Sequence, residues 1–263
     1  IDALTIGAAQ ARLRQIVASA PIEVAVVGDI DRARASELVR AYIGSLPARP
    51  RISDTTLDNL RAMKKPVGPL TASASFRTKA DKALVLCGFF GADAKNLRDM
   101  RLMGMAARVL STRAIAQIRE DRHPPYRPSL LPSPAVEFPG RGVFMAYPPT
   151  APDKAPALAA AIAEMYDAFA TTGPTPEELE TARKQTANIF DEQTRDLSYW
   201  VNAMIGLSYR TMTLDDVAAA PEQYQAFTAQ EIQEAFAKYH KPTGMFTISI
   251  LPEPLTPPAD GAK

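Results

Sequence analysis

An arginine and a tyrosine seven positions apart, Arg119 and Tyr126, are the residues of this 263-residue sequence whose types and spacing could do chemistry. A guanidinium presents its donors in a rigid fork, and a phenol both donates and accepts a hydrogen bond. A charged donor to a carbonyl oxygen contributes roughly 1.5–3 kcal/mol, so the pair could hold the backbone of an extended ligand without breaking a bond. The alternative is structural: Arg119 pairs with a neighbouring carboxylate, and Tyr126 packs beside proline.

The stretch from residue 96 to residue 129 has to position both side chains. Its apolar residues recur every three or four positions, which predicts one long helix with a single buried stripe. Asn96 is a candidate N-cap, and Pro124-Pro125 prevent the helix from continuing. Arg119 therefore falls near the end of a rigid helix of roughly 25 residues, about 38 Å long. Tyr126 falls just beyond the proline break.

Motifs for metal binding and for nucleophilic catalysis are missing from the sequence. Its two histidines, His123 and His240, have no His or Cys partner at ligand spacing, and no H-x-x-E-H or H-E-x-x-H occurs. There is also no G-x-S-x-G elbow and no glycine-rich phosphate loop. The one cysteine, Cys87, lies in an apolar run and is predicted to be a buried strand residue. We expect no catalytic residue and no metal ligand in this chain.

Composition excludes several classes of partner. The formal net charge of +1 gives no electrostatic reason to bind nucleic acid or an anionic membrane. The longest apolar runs, residues 22–28 and 83–92, are too short to span a bilayer. With 46% hydrophobic and 22% charged residues, the chain is typical of one large or two smaller globular domains. A single cysteine leaves cytoplasm and periplasm equally open.

Helical and strand patterns predict the order of the remaining elements. Strands are predicted at 22–28, 71–77, 82–91, 136–138, 142–147 and 245–251, the fourth and fifth as a hairpin, and helices fill most of the intervening sequence. A helix, a proline turn, an apolar strand and an exit turn occur at Leu4–Asp29 and again at Thr228–Glu253. This repeated pattern predicts that the chain contains the ends of two similar units.

The repeated pattern divides the chain into four parts. Residues 1–50 would be the closing helix–strand–helix segment of one unit, and residues 67–252 a complete second unit. Residues 51–66 would be a linker between them, because they lie in a stretch, Leu46–Pro69, whose composition shifts to Pro, Arg, Ser, Thr and Asp. Residues 253–263, which include three prolines, are predicted to be a disordered tail.

Three stretches, taken together and in order, resemble the pitrilysin/insulinase family of zinc metallopeptidases. They are IEVAVVGDID with its following helix and IGSLPAR, then VLSTRAIAQIREDRHPPY, and finally TPEELETARKQ. The first is similar to the strand–"vGd"–helix–"lP" passage that joins successive domains of the family. The second resembles the family segment that carries an arginine and a tyrosine seven residues apart. The resemblance extends from about residue 4 to residue 252.

The resemblance implies an α+β fold of repeated units, each a mainly antiparallel sheet covered by helices, the metallohydrolase-type fold of the pitrilysin family. Two halves of such proteins close around a substrate chamber, and zinc is bound in the first half by H-x-x-E-H and a downstream Glu. In the noncatalytic units an Arg and a Tyr hold the substrate, and Arg119 and Tyr126 fall on those positions. Where the family often has glycine before the tyrosine, this chain has Pro124-Pro125, which make the backbone between the helix and the tyrosine stiffer.

These observations predict the zinc-free, C-terminal, substrate-holding portion of a pitrilysin-like peptidase. Its partners would be an extended peptide and a zinc-bearing half, on the same or another chain. It would have no cofactor of its own and no peptidase activity alone, because nothing in it activates a water molecule. A structural or assembly protein of the same fold, with no role in proteolysis, is the main alternative. An unrelated α+β binding module is the third.

Overall fold

The computed structural model describes residues 4–50, 54–66, 68–120, 130–210 and 212–253, with residues 54 and 116–120 described by their backbone. Its helices are α1 Ile6–Ser19, α2 Arg32–Tyr42, α3 Asp54–Arg61, α4 Leu97–Glu120, α5 Ala155–Thr172, α6 Pro176–Gln193, α7 Leu197–Met204, α8 Leu214–Ala218, α9 Ala220–Ala226 and α10 Ala229–Tyr239. Its strands are β1 Leu70–Arg77, β2 Ala83–Phe90, β3 Leu130–Ser133, β4 Val143–Ala146, β5 Pro149–Thr150 and β6 Met245–Glu253.

The contacts divide the chain into two compact units. One falls within Ile1–Met63 and Asp191–Val217, and the other within Lys64–Phe190 and Ala218–Lys263. The second unit contains the sheet. Its strand order is β1-β6-β2-β4-β3, with β5 paired to β2. The β1–β6 pair is parallel and the other pairs are antiparallel, so the predicted α+β class with a mainly antiparallel sheet is confirmed.

Helices α4, α5 and α10 pack against one face of the sheet and form the core of the second unit. At its centre, the rings of Phe89, Phe144, Tyr166 and Phe236 lie with centroids 5.2 to 5.9 Å apart, mostly edge to face. Edge-to-face contacts suit the ring quadrupoles, and each buried ring removes a large apolar area from water. The Tyr166 hydroxyl donates to the Cys87 carbonyl oxygen at 3.3 Å. Burial raises the pKa of Tyr166 well above its ordinary value.

Side-chain caps explain where several helices begin. Thr175 and Glu178 bond reciprocally to each other's backbone N–H groups at the start of α6, and Thr228 and Glu231 do the same at α10. Asn96 accepts the N–H of Asp99 at 3.1 Å at the start of α4. Each cap satisfies donors that the first helical turn leaves free.

Two strand predictions are wrong. The partner of β4 is β3, and residues 136–138 form bends instead of a strand. Strand β3 was not predicted because prolines lie close to Leu130 in the sequence. A proline is nevertheless compatible with the end strand of a sheet, where one row of N–H groups needs no partner. Residues 22–28 are not assigned to a strand either. Extended backbone becomes a strand only when a neighbour accepts its hydrogen bonds, and these residues have no such neighbour in the described part of the chain.

The first unit is helical, and its N-terminal part is exposed. Thr5 caps α1 by accepting from Ala8, and Asp31 caps α2 by accepting from Arg34. No residue between 4 and 50 is buried. The segment predicted as a linker contains the short helix α3, whose Arg61 donates to the Tyr209 hydroxyl at 2.6 Å.

Candidate functional site

Helix α4 is the element that carries the candidate site, and its middle is buried on most sides. Met105, Ala106 and Leu110 are fully inaccessible to solvent, and Arg101 is 3% exposed. The Thr186 hydroxyl of α6 lies 3.6 Å from the Met105 sulfur. The helix is therefore packed between the sheet and other helices, which keeps it rigid. It is more deeply buried than a single apolar stripe predicts.

The N-terminal turn of α4 is bound to α10 through Asp99. This carboxylate accepts from Lys238 Nζ and from the Tyr239 hydroxyl, each at 2.6 Å. Burial raises the pKa of Asp99, but the two hydrogen bonds and the positive charges of Lys238 and Arg98 together outweigh it and hold the pKa below its ordinary value. Arg98 pairs with Glu231 beside them. Two charge-assisted hydrogen bonds thus fix where the helix begins.

The C-terminal half of α4 is bound to the start of α6 through Arg113. Its guanidinium donates to both carboxylate oxygens of Glu178, with Nη2 2.7 Å from Oε2, and to the Gly173 carbonyl oxygen at 2.8 Å. It also lies over the Phe169 ring, 5.0 Å from the centroid. The hydrogen bond from Arg113 lowers the pKa of Glu178. This ion pair therefore binds α4 to α6 within two turns of Arg119.

The structure places the backbone of Arg119 on the last turn of α4, which ends at Glu120, as the helical pattern predicts. Tyr126 and His123 lie outside the described residues. Whether the guanidinium and the phenol converge on one ligand therefore stays a prediction.

A second candidate surface is the sheet face opposite the helices. Strand register puts these residues on it: Leu70, Ala72, Ala74, Phe76, Leu84, Leu86, Gly88, Phe90, Leu131, Ser133, Val143, Met145, Pro149, Phe246, Ile248, Ile250 and Pro252. Apart from Gly88, none of these residues is buried, and all except Ser133 are apolar. We call this set the open face. Contiguous exposed apolar surface of this kind is typical of an interaction site.

Two details shape the open face. A Cβ atom on Gly88 would come within 2.8 Å of Phe246 Cζ and 2.7 Å of Met145 Cβ, so the glycine makes room for the Phe246 ring. Lys65 Nζ lies 5.4 Å from the centre of the Phe90 ring, a cation–π distance. The face is therefore apolar with a cation beside it, a combination suited to the side chains and carbonyl oxygens of an extended peptide.

The described residues do not fit a zinc ion. In the part of the chain that the structure describes, no three His, Cys, Asp or Glu side chains are grouped closely enough to hold a metal. His240 is 6% exposed, lies among the Phe89 and Phe236 rings, and has its Nε2 2.7 Å from Asp167 Oδ1. These contacts give His240 a packing role. Within the same described residues, no helix is long and apolar enough to cross a membrane.

The open face was not predicted from the sequence, although a signal for it exists. The run ALVLCGFF in β2 is apolar at both alternations, which favours a strand buried on both sides. The structure buries Val85, Cys87 and Phe89 and leaves Leu84 and Leu86 partly exposed. A continuously apolar strand with helices on one face indicates that its other face contacts something further.

The second unit is thus an α+β unit, a mainly antiparallel sheet with helices packed on one face. Residues 4–186 match the model of the family described as "Peptidase M16 inactive domain". That match covers more than half of the sequence, so the chain belongs to this family. A comparison with curated proteins gives no match.

Solved structures of low sequence identity share the fold. A peptidase M16 inactive domain from Pseudomonas fluorescens is 18% identical with a TM-score of 0.70, over 88% of this chain and 54% of that one. A protease from Helicobacter pylori is 16% identical with a TM-score of 0.69, over 86% and 54%. The ferredoxin protease FusC, solved as its E83A mutant with Arabidopsis ferredoxin, is 16% identical with a TM-score of 0.69, over 96% and 27%. The chain spans about half of the first two proteins and about a quarter of the third.

Proposed function

We propose that this chain is the noncatalytic, substrate-holding portion of a two-part zinc peptidase. The observation that carries the proposal is the open face: an apolar sheet surface that stays partly exposed while helices cover the opposite side of β2 and β4. An extended peptide can lie on such a surface, because its apolar side chains gain about 25 cal/mol per Å² of area removed from water. Zinc and the water that it activates would belong to the other half.

Arg119 would supply polar contacts to a part of the peptide that extends past the edge of the open face, because α4 lies on the helical side of the sheet. Helix α4 is bonded to its neighbours at Asp99 and at Arg113, so its backbone is held in place to within two turns of Arg119. A helix that is held in advance loses little backbone entropy when one of its residues binds a ligand. We assign the guanidinium of Arg119 and the hydroxyl of Tyr126 to carbonyl oxygens of the bound peptide, as the family resemblance implies.

The proposal also gives residues 1–50 a role. They would close a preceding unit of the same fold, with residues 51–66 as linker, residues 67–252 as the substrate-holding unit and residues 253–263 as a tail. Neighbours in the structure comparison that are about twice as long or longer are compatible with an adjoining half.

The test is peptide hydrolysis by the complete peptidase, whether one polypeptide or two co-expressed halves, with Arg119→Ala and Tyr126→Phe. Arg119→Ala removes a charged hydrogen bond made in both ground and transition states and should raise KM about ten- to hundredfold with little change in kcat. Tyr126→Phe removes a neutral hydrogen bond and should raise KM about two- to tenfold. Arg108→Ala, on the same helix but nearer its middle, is the matched control and should leave KM unchanged. The variants must keep the zinc content and the assembly of the wild type, so that a raised KM reports lost contacts with the substrate.

Unchanged KM in both variants would overturn the substrate-holding role. It would favour the alternative of a structural or assembly protein of the same fold. Failure of the wild-type assembly to hydrolyse any unfolded protein substrate would favour the same alternative.

A further inference from the structure

The sheet of the second unit ends in two edge strands, β1 and β3, which differ in how they are protected. Strand β3 has four residues, and one of them is Pro132. Strand β1 has eight residues, and the first seven, LTASASF, include neither a proline nor a charge. Short length, prolines and charges are the usual features that keep an edge strand from pairing with another strand. Strand β1 therefore lacks the protection that β3 has.

Strand β1 is exposed along its whole length and on both of its faces. All eight of its residues are exposed, whereas β2 has residues that the helices bury. Among the described residues, β1 packs chiefly on β6, and the helices contact other strands of the sheet. Because β1 pairs in parallel with β6, alternate residues of β1 direct both their N–H and their C=O groups away from β6. This outward row is available to a further strand.

The sequence of β1 is symmetric in residue type about Ser73. Moving outward from this serine, alanine matches alanine, hydroxyl matches hydroxyl, and a large apolar residue matches a large apolar residue. The matching pairs are Ala72 with Ala74, Thr71 with Ser75, and Leu70 with Phe76. When two such strands lie antiparallel across a two-fold axis at Ser73, every residue faces one of its own type. This is the self-complementarity that an interface between two identical subunits requires.

We infer that β1 pairs with β1 of a second copy of this chain, antiparallel and centred on Ser73. The two-fold axis is perpendicular to the sheet, so the open faces of the two copies lie on the same side and become continuous. On that side Leu70 faces Phe76 of the second copy, and on the other side Ser73 faces its own counterpart. About six to eight backbone hydrogen bonds join the two strands. This interface is additional to the proposed function and does not depend on it.

Charge and chain length favour a second copy over other occupants. The one charged residue of β1, Arg77, lies outside the seven paired residues and opposite Pro69 of the second copy, so no like charges face each other. The two longest stretches outside the described residues, 121–129 and 254–263, contain three prolines each. Neither stretch has an unbroken row of N–H groups as long as β1. An unrelated strand would also have no reason to match the symmetry about Ser73.

Sedimentation velocity of the complete peptidase, from about 1 to about 200 µM, measures the pairing, since one strand pair should dissociate in the micromolar range. The mass of the wild type should double over this range. Ser73→Lys places two ammonium groups opposite each other and should raise the dissociation constant at least about tenfold. Ser73→Glu should do the same with two carboxylates. An equimolar mixture of the two variants should pair again, because opposite charges then face each other.

Ser133→Lys is the matched control, because Ser133 is an exposed serine in the other edge strand, β3. It should leave the dissociation constant unchanged. The inference is wrong if the wild type stays a monomer at about 200 µM, or if Ser133→Lys separates the copies while Ser73→Lys does not. It is also wrong if mixing the Lys and Glu variants restores no pairing. A monomer in which Ser73→Lys raises KM would assign this edge to a peptide instead.

Cysteine cross-linking tests the register. Two Ser73→Cys side chains would face each other, with Cβ atoms about 4.5–5.5 Å apart, so diamide should join the two copies through a disulfide. Ala74→Cys faces Ala72 of the second copy and should cross-link at least about tenfold more slowly. The native Cys87 is buried and supplies no competing thiol. Faster cross-linking of Ala74→Cys would place the axis at residue 74 and overturn the proposed register.

The pairing and the substrate-holding role fail separately. Arg119→Ala should raise KM and leave the dissociation constant of the two copies unchanged. Ser73→Lys should do the reverse, because Ser73 lies on the side of β1 opposite the open face. Sedimentation velocity and peptide hydrolysis, measured on the same preparations of the complete peptidase, therefore test the two proposals independently. A wild type that doubles in mass while its KM ignores Arg119→Ala would keep the pairing and remove the substrate-holding role.

Discussion

Arg113 and Glu178 form a two-point ion pair that joins the long helix α4 to the first turn of α6. Arg113 Nη2 is 2.7 Å from Glu178 Oε2, its Nε donates to Oε1, and the two side chains are 20% and 22% exposed. Glu178 also accepts the N–H of Thr175 at 2.8 Å. One carboxylate therefore both caps α6 and positions the helix that carries Arg119.

Glu178→Gln should lower the free energy of unfolding by about 1–2 kcal/mol, the range expected when a partly buried charged pair becomes a neutral contact at a helix cap. The measurement is urea unfolding followed by circular dichroism at pH 7. Glu177→Gln is the matched control, since Glu177 is an exposed residue of the same turn. An equal effect of the two substitutions would show that the ion pair contributes nothing of its own.

The same pair predicts an acid dependence. Glu178 has a lower pKa in the folded protein than its ordinary value of 4.5, chiefly because Arg113 donates to it. Its stabilising contribution is therefore complete above the unfolded pKa and is lost as the pH falls through the folded pKa. The difference in unfolding free energy between wild type and Glu178→Gln should shrink below pH 4.5 and vanish at lower pH. A difference that stays constant with pH would contradict the assignment.

Tyr239 should titrate abnormally because its hydroxyl is bonded to the Asp99 carboxylate at 2.6 Å. Burial and this carboxylate raise the pKa of Tyr239 well above its ordinary value. In Asp99→Asn the carboxylate charge is gone, so the pKa of Tyr239 should fall back towards that of an ordinary tyrosine. Carbon-13 NMR of the tyrosine Cζ atoms, assigned with Tyr239→Phe, measures this directly.

The sign of the effect on stability follows from the raised pKa. Tyr239 contributes fully below the pKa that it has in the unfolded chain, and the contribution is lost as the pH rises through the folded pKa. Wild type should therefore lose more stability than Tyr239→Phe above about pH 10. Parallel loss in the two proteins would mean that Tyr239 is not linked to folding.

Local rules account for what could be predicted from the sequence. Helix α4 has a regular apolar spacing, an Asn96 cap and a proline exit, and the structure reproduces its span and therefore the place of Arg119 in the chain. Strand β3 was missed because Pro132 opposes a strand in isolation, whereas an end strand tolerates it. The apolar run of β2 signals a second contact face, but the sequence does not show which side the helices cover, because tertiary packing decides it. The predicted strand at residues 22–28 differs from the structure for a related reason, since its partners are not among the described residues.

Gly88 gives a direct test of the open face. A Cβ atom there would meet the Phe144 carbonyl oxygen, Met145 Cβ and the Phe246 ring, all closer than real Cβ contacts allow. Gly88→Ala should therefore lower the unfolding free energy by about 1–3 kcal/mol, as overpacking does. Gly244→Ala is the matched control, because nothing lies within 4 Å of its added Cβ. Urea unfolding of the two variants measures the difference.

Replacing Phe246 with leucine tests whether its ring lies over position 88. In Gly88→Ala with Phe246→Leu, the clash with the ring is relieved but the clash with the main-chain oxygen of Phe144 remains, so only part of the stability should return. Complete recovery would mean that the strands shift to accept the methyl group. No recovery would mean that the ring does not lie over Gly88, and the open face would then be shaped differently from the surface proposed to receive a peptide.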